Sequence, residues 1–218
     1  GASFGLIPTL ELGMKKDDGK PWSLEELAAR LSAEEDAREI PLFMHYYAEC
    51  IYPAQQFAIA SVSDEDGKRV VANYRTFLKT LLTLVQRRAP LDRRCNVFTT
   101  NYDGCIPLVA DQILESNSDD FVINDGTRGF RTKLLEARNF DSYLCRSGVF
   151  DRHASGIPQI NLIHLHGSVY WQKVERGIEV DYTRKPLSIL SDRARAKLAP
   201  FSAVLRDKTK TLADLPHV

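Results

Sequence analysis

This sequence has no excess of positive or of negative charge. Among its 218 residues, 29 lysines and arginines balance 29 aspartates and glutamates. A chain without net charge has no bulk electrostatic attraction for nucleic acid, so we expect no direct nucleic-acid contact. Hydrophobic residues make up 44% and charged residues 27% of the chain, which excludes a disordered chain and is typical of a globular protein.

Long hydrophobic runs are also missing. The apolar stretches cover a few residues each, far fewer than the roughly 20 that a helix needs to cross a bilayer. The first residues do not show a basic segment followed by an apolar one, which is the pattern of a secretory signal peptide. We therefore predict a cytoplasmic protein without a membrane partner.

Paired cysteines are the third absence. The four cysteines, Cys50, Cys95, Cys105 and Cys145, are widely separated, and no C-x-x-C motif occurs. This excludes a zinc ribbon and a dithiol redox motif, and it provides no disulfide framework. We expect buried, reduced thiols in a reducing compartment, no zinc module and no bound metal.

The pattern of apolar residues predicts several helices. A capping box at residues 23–26 begins a short helix, and residues 32–35 repeat that signal for the next one. The apolar and aromatic residues 40–53 predict a helix that covers the core. A regular stripe over residues 70–88 predicts another helix.

Short apolar runs predict strands between the helices. They lie at residues 95–100, 121–123 and 160–165. A second helix follows the first strand and tolerates Pro107 in its first turn. After Trp171 the sequence becomes charged, with a helix predicted at residues 192–198. The alternation favours an α/β fold, namely a Rossmann-like parallel sheet flanked by helices.

The domain organisation follows from the same pattern. We predict that residues 1–218 form a single Rossmann-like domain with a helical insertion at about residues 20–65. Residues 1–9 begin at a glycine-containing turn that no strand precedes, and residues 212–218 lead towards a strand that does not follow. We therefore expect the sequence to be an excerpt of a longer protein.

The first candidate site follows the predicted strand at 95–100. Thr99, Thr100, Asn101 and Asp103 offer hydroxyl, amide and carboxylate groups where the strand ends and a helix begins. In open α/β sheets, ligands bind beyond the carboxyl ends of the strands. An asparagine there can hold a ribose hydroxyl or a water, because its amide both donates and accepts. The simpler alternative is that Asp103 only caps the helix and Asn101 only forms the turn.

The second candidate site follows the strand at 160–165 and contains His164, His166, Gly167 and Ser168. A histidine beside a glycine at a strand end has room for a ligand, and histidine exchanges protons near neutral pH, as a general base must. Alternatively, His164 and His166 could share one face and bind a metal, but no third ligand stands at a recognisable spacing. The simplest interpretation is one buried structural histidine and one loop histidine.

Together the two segments resemble the sirtuin superfamily, and more narrowly the sirtuin-like NAD-consuming domains of bacterial antiphage defence proteins. The resemblance lies in residues 97–103, Val-Phe-Thr-Thr-Asn-Tyr-Asp, followed by residues 162–168, Leu-Ile-His-Leu-His-Gly-Ser. It extends to the helix at 70–88 and to the Asn-Asp-Gly turn at 124–126. Residues 1–3, Gly-Ala-Ser, are similar to the tail of the family's glycine-rich NAD-binding loop.

The resemblance implies roles for individual residues. Asn101 would orient the attacking water or the nicotinamide ribose, and His166 would act as a general base towards a ribose hydroxyl. Asp103 would support the ribose or its loop. The other residues implied in NAD binding are Gly1, Ala2 and Ser3 at the pyrophosphate, and Thr99, Thr100, Gly167 and Ser168 around the site.

The activity implied is hydrolysis of NAD, as substrate, to nicotinamide and ADP-ribose in bacterial antiphage defence. The resemblance also implies a homo-oligomer, and a partner such as a HerA-type DNA-translocating ATPase or a short Argonaute. Two alternatives stay open. One is a module that senses NAD or ADP-ribose, or assembles on it, without turning it over. The other is a zinc-free deacylase or ADP-ribosyltransferase, with deacylation weakened by the lack of a four-cysteine zinc module.

Overall fold

The described part of the chain divides into two compact units. A computed structural model describes residues 6–89, 92–116, 120–146, 155–183 and 190–217. Within those ranges, the first unit comprises Leu6 and residues 57–183, and the second comprises residues 7–56 and 190–217. This division does not test the prediction of a single domain with a helical insertion, which stays a prediction. None of the helices in these ranges is both long and apolar enough to cross a membrane.

Helices and strands alternate along the chain. The helices are α1 (Leu24–Ala33), α2 (Glu39–Tyr46), α3 (Tyr52–Gln56), α4 (Glu65–Gln86), α5 (Cys105–Glu115) and α6 (Asp192–Arg206). A π-helical turn lies at Tyr47–Ile51, and short 3-10 segments lie at Ile59–Ser61, Ala137–Asp141 and Leu212–Asp214. The strands are β1 (Arg94–Thr99), β2 (Val122–Asn124), β3 (Thr127–Arg128), β4 (Leu134–Leu135), β5 (Cys145–Arg146), β6 (Ser155–Gly156), β7 (Gln159–His164), β8 (Trp171–Val174) and β9 (Gly177–Val180).

A three-stranded parallel sheet lies in the first unit, in the order β1-β7-β2. In its register Thr99 stands opposite His164, and Asn124 stands opposite Asn161. Helix α4 packs against α5 and against both β1 and β7. The middle strand β7 is buried along nearly its whole length, as expected where a parallel strand is covered on both faces. The prediction of an α/β fold with a parallel sheet flanked by helices is confirmed.

A row of asparagines crosses this sheet. Asn96 on β1 and Asn124 on β2 both stand opposite Asn161 on β7. Asn161 Nδ2 donates to Asn96 Oδ1 at 2.7 Å, and Asn161 Oδ1 accepts from Asn124 Nδ2 at 3.1 Å. Gln159 Nε2 donates to the same Asn161 oxygen at 2.7 Å. Asn161 and Gln159 are buried, so these amides satisfy one another in place of water.

A second sheet in the first unit is antiparallel, in the order β3-β4-β9-β8. The hairpin of β8 and β9 occupies the charged region after Trp171, for which no strand was predicted. The four strands have two to four residues each. A run that short cannot show the alternation by which a strand is recognised in sequence.

The start expected for a second helix at residues 32–35 is wrong. Helix α1 continues through Ser32 to Ala33, and its predicted capping box is present, because Ser23 Oγ accepts from Glu26 N and Glu26 Oε2 accepts from Ser23 N. The chain then turns at Glu35, which has a φ of 53°. A serine inside a running helix has no unpaired N–H group ahead of it to cap, so the repeated motif has no effect there.

Two other helices are longer than predicted. Helix α4 begins at Glu65 because Asp64 Oδ1 accepts from Gly67 N at 2.7 Å and caps the helix. Helix α6 continues past Pro200 to Arg206. Proline in a helix costs a hydrogen bond, and burial of the Phe201 and Leu205 side chains after it offsets that cost.

The second unit has its own apolar core. Its buried side chains are Leu12, Met14, Leu27, Leu31, Leu42, Phe201, Leu205 and Leu215. Arg38 fastens the two stretches of chain that form this unit, since its Nη1 donates to the carbonyl oxygens of Leu212 and Leu215 at 3.0 Å. Asp36 Oδ2 in turn accepts from Arg38 Nη2 at 2.6 Å. The guanidinium group thereby holds the pKa of Asp36 down at about 2.

The Asp36–Arg38 pair predicts a loss of stability in acid. The folded-state pKa of Asp36 is lowered from 3.8 to about 2. The ionised carboxylate therefore contributes to the free energy of unfolding above pH 4, and this contribution is lost as the pH falls towards 2. We expect Asp36→Asn to be less stable than the parent chain near pH 6, and the difference to shrink towards pH 2. Urea unfolding at a series of pH values measures it. The exposed Asp17→Asn is the matched control, and an equal difference at every pH would contradict the expectation.

Candidate functional site

The two predicted segments come together at one edge of the parallel sheet. Strands β1 and β7 are parallel neighbours, so their carboxyl ends lie side by side. Leu165 N donates to the carbonyl oxygen of Thr99 at 2.9 Å, and Val169 N donates to that of Tyr102 at 2.9 Å. The loop after β1 and the loop after β7 are therefore joined through their backbones.

His164 is part of the framework of this edge. Its side chain is buried, and its Nδ1 lies 2.8 Å from the carbonyl oxygen of Asn101. The ring of Trp171 meets it edge-on, with the ring centres 6.1 Å apart. These contacts agree with the interpretation of His164 as a buried structural histidine. Within the described ranges, no group of three or more His, Cys, Asp or Glu residues could hold a metal ion.

His166 lies in the loop just beyond β7, and its side chain is exposed. The next residue, Gly167, has a φ of +85°, which an L side chain rarely adopts. A Cβ built on Gly167 would come no nearer than 3.8 Å to another residue, the indole of Trp171. The glycine is therefore required by the backbone conformation of the loop and not by a close neighbour of its Cα. Ser168 closes the turn, since its carbonyl oxygen accepts from Trp171 N at 3.0 Å.

Asn101 is held in a defined position. Its backbone N donates to Thr99 Oγ1 at 3.0 Å, and its Nδ2 donates to the hydroxyl of Tyr74, on α4, at 3.3 Å. The residue is half-buried, whereas Thr100 beside it is exposed. One N–H of the amide is therefore oriented by a helix of the core, which fixes the direction of the side chain.

Asp103 precedes helix α5, whose N-cap is Gly104 and not Asp103 as the simpler interpretation predicted. Asp103 is 7% exposed, and its Oδ1 accepts from Cys105 N, in the first turn of the helix, at 3.0 Å. A carboxylate at this helix N-terminus takes the place in which a phosphate would otherwise be favoured. The site at this edge therefore fits an uncharged ribose or a nicotinamide better than a pyrophosphate. The residues assigned to the pyrophosphate, Gly1, Ala2 and Ser3, lie outside the described residues.

Tyr170 packs directly on the first loop. A Cβ added to Gly104 would lie 2.4 Å from the Tyr170 hydroxyl oxygen, so only glycine leaves room for this ring. Burial raises the pKa of Tyr170, and the nearby Cys105 and Asp103 raise it further. The close approach of Tyr170 to Gly104 has no signal in the sequence.

A cavity of about 980 Å³ lies beside α5 and β2 within the first unit. Tyr170 forms part of its wall, and so do Asp111, Asp125, Asn139 and Tyr182. None of the described residues predicted for the NAD site lines it. The Asn-Asp-Gly turn at residues 124–126 and the predicted helix that carries Asp111 lie at this cavity, whereas Asn139 and Tyr182 come from segments without a clear pattern.

Two ionisable side chains that line the cavity, Tyr182 and Asp111, have pKa values raised by their surroundings. Burial raises the pKa of Tyr182, and the Asp125 carboxylate adds to the effect, so the hydroxyl keeps its proton and donates to Asp125 Oδ2 at 3.2 Å. Burial also raises the pKa of Asp111, and the neighbouring Glu115 raises it further.

Comparison with known proteins adds no relative. No protein-family model matches the chain, and no curated protein matches it significantly. The likeness to sirtuin-like domains therefore rests on the motifs and on their placement at one sheet edge.

Proposed function

We propose that this chain is an NAD hydrolase with a Rossmann-like fold that acts in bacterial antiphage defence. The observation that carries the proposal is the joining of the two motif loops. Two backbone hydrogen bonds of 2.9 Å fasten the loop of Asn101 to the loop of His166. Because the two segments are 63 residues apart in sequence at their His164–Asn101 contact, their meeting at the carboxyl ends of parallel strands supports a common ligand site.

The proposed reaction consumes one NAD and one water. The bond between nicotinamide and ribose C1′ breaks, and nicotinamide leaves with the bonding electron pair. The water oxygen bonds to C1′, and the water loses a proton, which gives ADP-ribose. The protein has to stabilise a positively charged ribosyl centre and hold the water in place.

Each residue has a proposed part in this reaction. The half-buried Asn101 amide orients the water or the nicotinamide ribose. The exposed His166 imidazole accepts a proton from a ribose hydroxyl, and this hydroxyl is restored when the attacking water releases its own proton. Asp103 keeps the loop in place through its hydrogen bond from Cys105 N and adds a negative charge near the cationic ribosyl centre, where such a charge is stabilising.

The wider setting is part of the proposal. A homo-oligomer of this chain, or a HerA-type ATPase or short Argonaute beside it, would switch the activity on in the cytoplasm. No metal and no direct nucleic-acid contact is proposed. The assembly and the partners follow from the resemblance, whereas the lack of nucleic-acid contact follows from the balanced charge of the chain.

Product analysis tests the activity. The full chain is incubated with NAD, alone and with an acetyl-lysine peptide, and nicotinamide and ADP-ribose are quantified. We expect equal amounts of both products without the peptide, and a strong loss of both in Asn101→Ala. Release that requires the peptide would indicate the deacylase or transferase alternative. Intact NAD that stays bound to the protein would indicate a sensing module.

A further inference from the structure

We propose that the cavity beside α5 and β2 is a second binding site, for a nucleotide whose base carries an exocyclic amino group. This site goes beyond the proposed hydrolysis of NAD, because neither Asn101 nor His166 lines the cavity. A volume of about 980 Å³ lies at the upper end of the range of small-molecule sites and is ample for a mononucleotide.

Asn139 provides the first argument for a ligand. The residue is 2% exposed, and its Nδ2 donates to the carbonyl oxygen of Gly126 at 2.8 Å. That contact fixes the amide, so Oδ1 is the acceptor that is left over. This oxygen is buried and has no hydrogen-bond partner within the described residues. A buried acceptor without a donor is unfavourable, and an exocyclic amino group would supply that donor.

Two tyrosines give the cavity an aromatic wall. The rings of Tyr170 and Tyr182 lie with their centres 4.9 Å apart and are tilted by 47°. The Tyr182 hydroxyl donates to Asp125 Oδ2, and the other oxygen of this carboxylate accepts from Thr127 N at 3.0 Å. The wall is therefore held rigidly, and aromatic rings are suited to stacking on a nucleobase.

Charged groups at the exposed part of the cavity fit the rest of a nucleotide. Arg128 and Lys133 belong to the segment of the β3–β4 hairpin, and both line the cavity with exposed side chains. Cations of this kind pair with phosphate. Asp111 is the exposed acid among them, and a carboxylate commonly accepts the hydroxyls of a ribose. The base, the sugar and the phosphate thus each have a counterpart in one cavity.

Calorimetric titration of AMP tests the site. The full chain carrying His166→Ala serves as the parent, so that binding is measured without turnover. We expect AMP to bind, and Lys133→Gln to weaken it about tenfold through loss of one charged contact. Arg131→Gln is the matched control, because Arg131 is an exposed cation of the same hairpin that does not line the cavity, and we expect no change there.

A second ligand tests the role assigned to Asn139. Nebularine 5′-monophosphate differs from AMP only in lacking the amino group, and we expect it to bind about tenfold more weakly. No binding of AMP would overturn the proposal. AMP binding that is insensitive to Lys133→Gln, or equal binding of the two nucleotides, would also overturn it and would place AMP elsewhere on the chain. These outcomes are independent of whether the chain without substitutions hydrolyses NAD.

Discussion

Replacing His166 by alanine is expected to lower the rate of NAD hydrolysis by about 10²- to 10⁴-fold, the usual contribution of a general base. The side chain is exposed beyond the end of β7, so its removal should leave the fold intact. The loss should fall on kcat rather than on KM, because the imidazole is assigned to proton transfer and not to holding the substrate. Initial rates of nicotinamide release over a range of NAD concentrations measure both constants.

A second exposed histidine provides the control for this experiment. His217 lies in the other unit, near the end of the described chain, and His217→Ala removes the same group from a residue that is not assigned to the candidate site. We expect its rate to equal that of the parent. Equal rates in both variants would remove His166 from the chemistry, and the assignment of the site to this sheet edge would then be wrong.

Phe201→Ala is expected to have the largest effect on stability. Phe201 is fully buried in the core of the second unit, on α6. Truncating a buried phenylalanine removes apolar contacts and leaves a void, which costs about 3–5 kcal/mol. The free energy of unfolding, from urea denaturation followed by circular dichroism, gives the value.

The same substitution at Phe130 is the matched control. Phe130 lies in the segment after β3 and is fully exposed at 103%. Surface changes of this kind usually stay within about 0.5 kcal/mol. If the two variants lost stability equally, Phe201 could not be the centre of the core described for the second unit.

Apolar pattern and local capping signals account for what could be predicted. The strands β1 and β7 were found because both appear as short apolar runs in the sequence, and α1 and α5 were found because their first turns carry recognisable residues. Boundaries were less well predicted. Helix α4 starts at an aspartate cap outside the apolar stripe, and α6 continues through Pro200 because tertiary packing outweighs the local preference.

The candidate site was predictable only in part. Polar residues after two parallel strands had to lie near one another once the strands were neighbours, so the meeting of the Asn101 and His166 loops could be foreseen. The contact of Tyr170 with Gly104 and the unpaired oxygen of Asn139 could not. Both depend on the path of the segments that lead into the second sheet, and those segments have no periodic pattern.

The asparagine row of the parallel sheet has a consequence for how the chain reaches its fold. Asn96 and Asn161 are 65 residues apart in sequence, so β1 and β7 have to find each other after a long loop has closed. A slipped pairing here would place buried amides opposite aliphatic neighbours and leave their hydrogen bonds unmade. The asparagine row therefore raises the free energy of intermediates with an incorrect strand register. It also fixes the position of the Asn101 loop relative to the His166 loop.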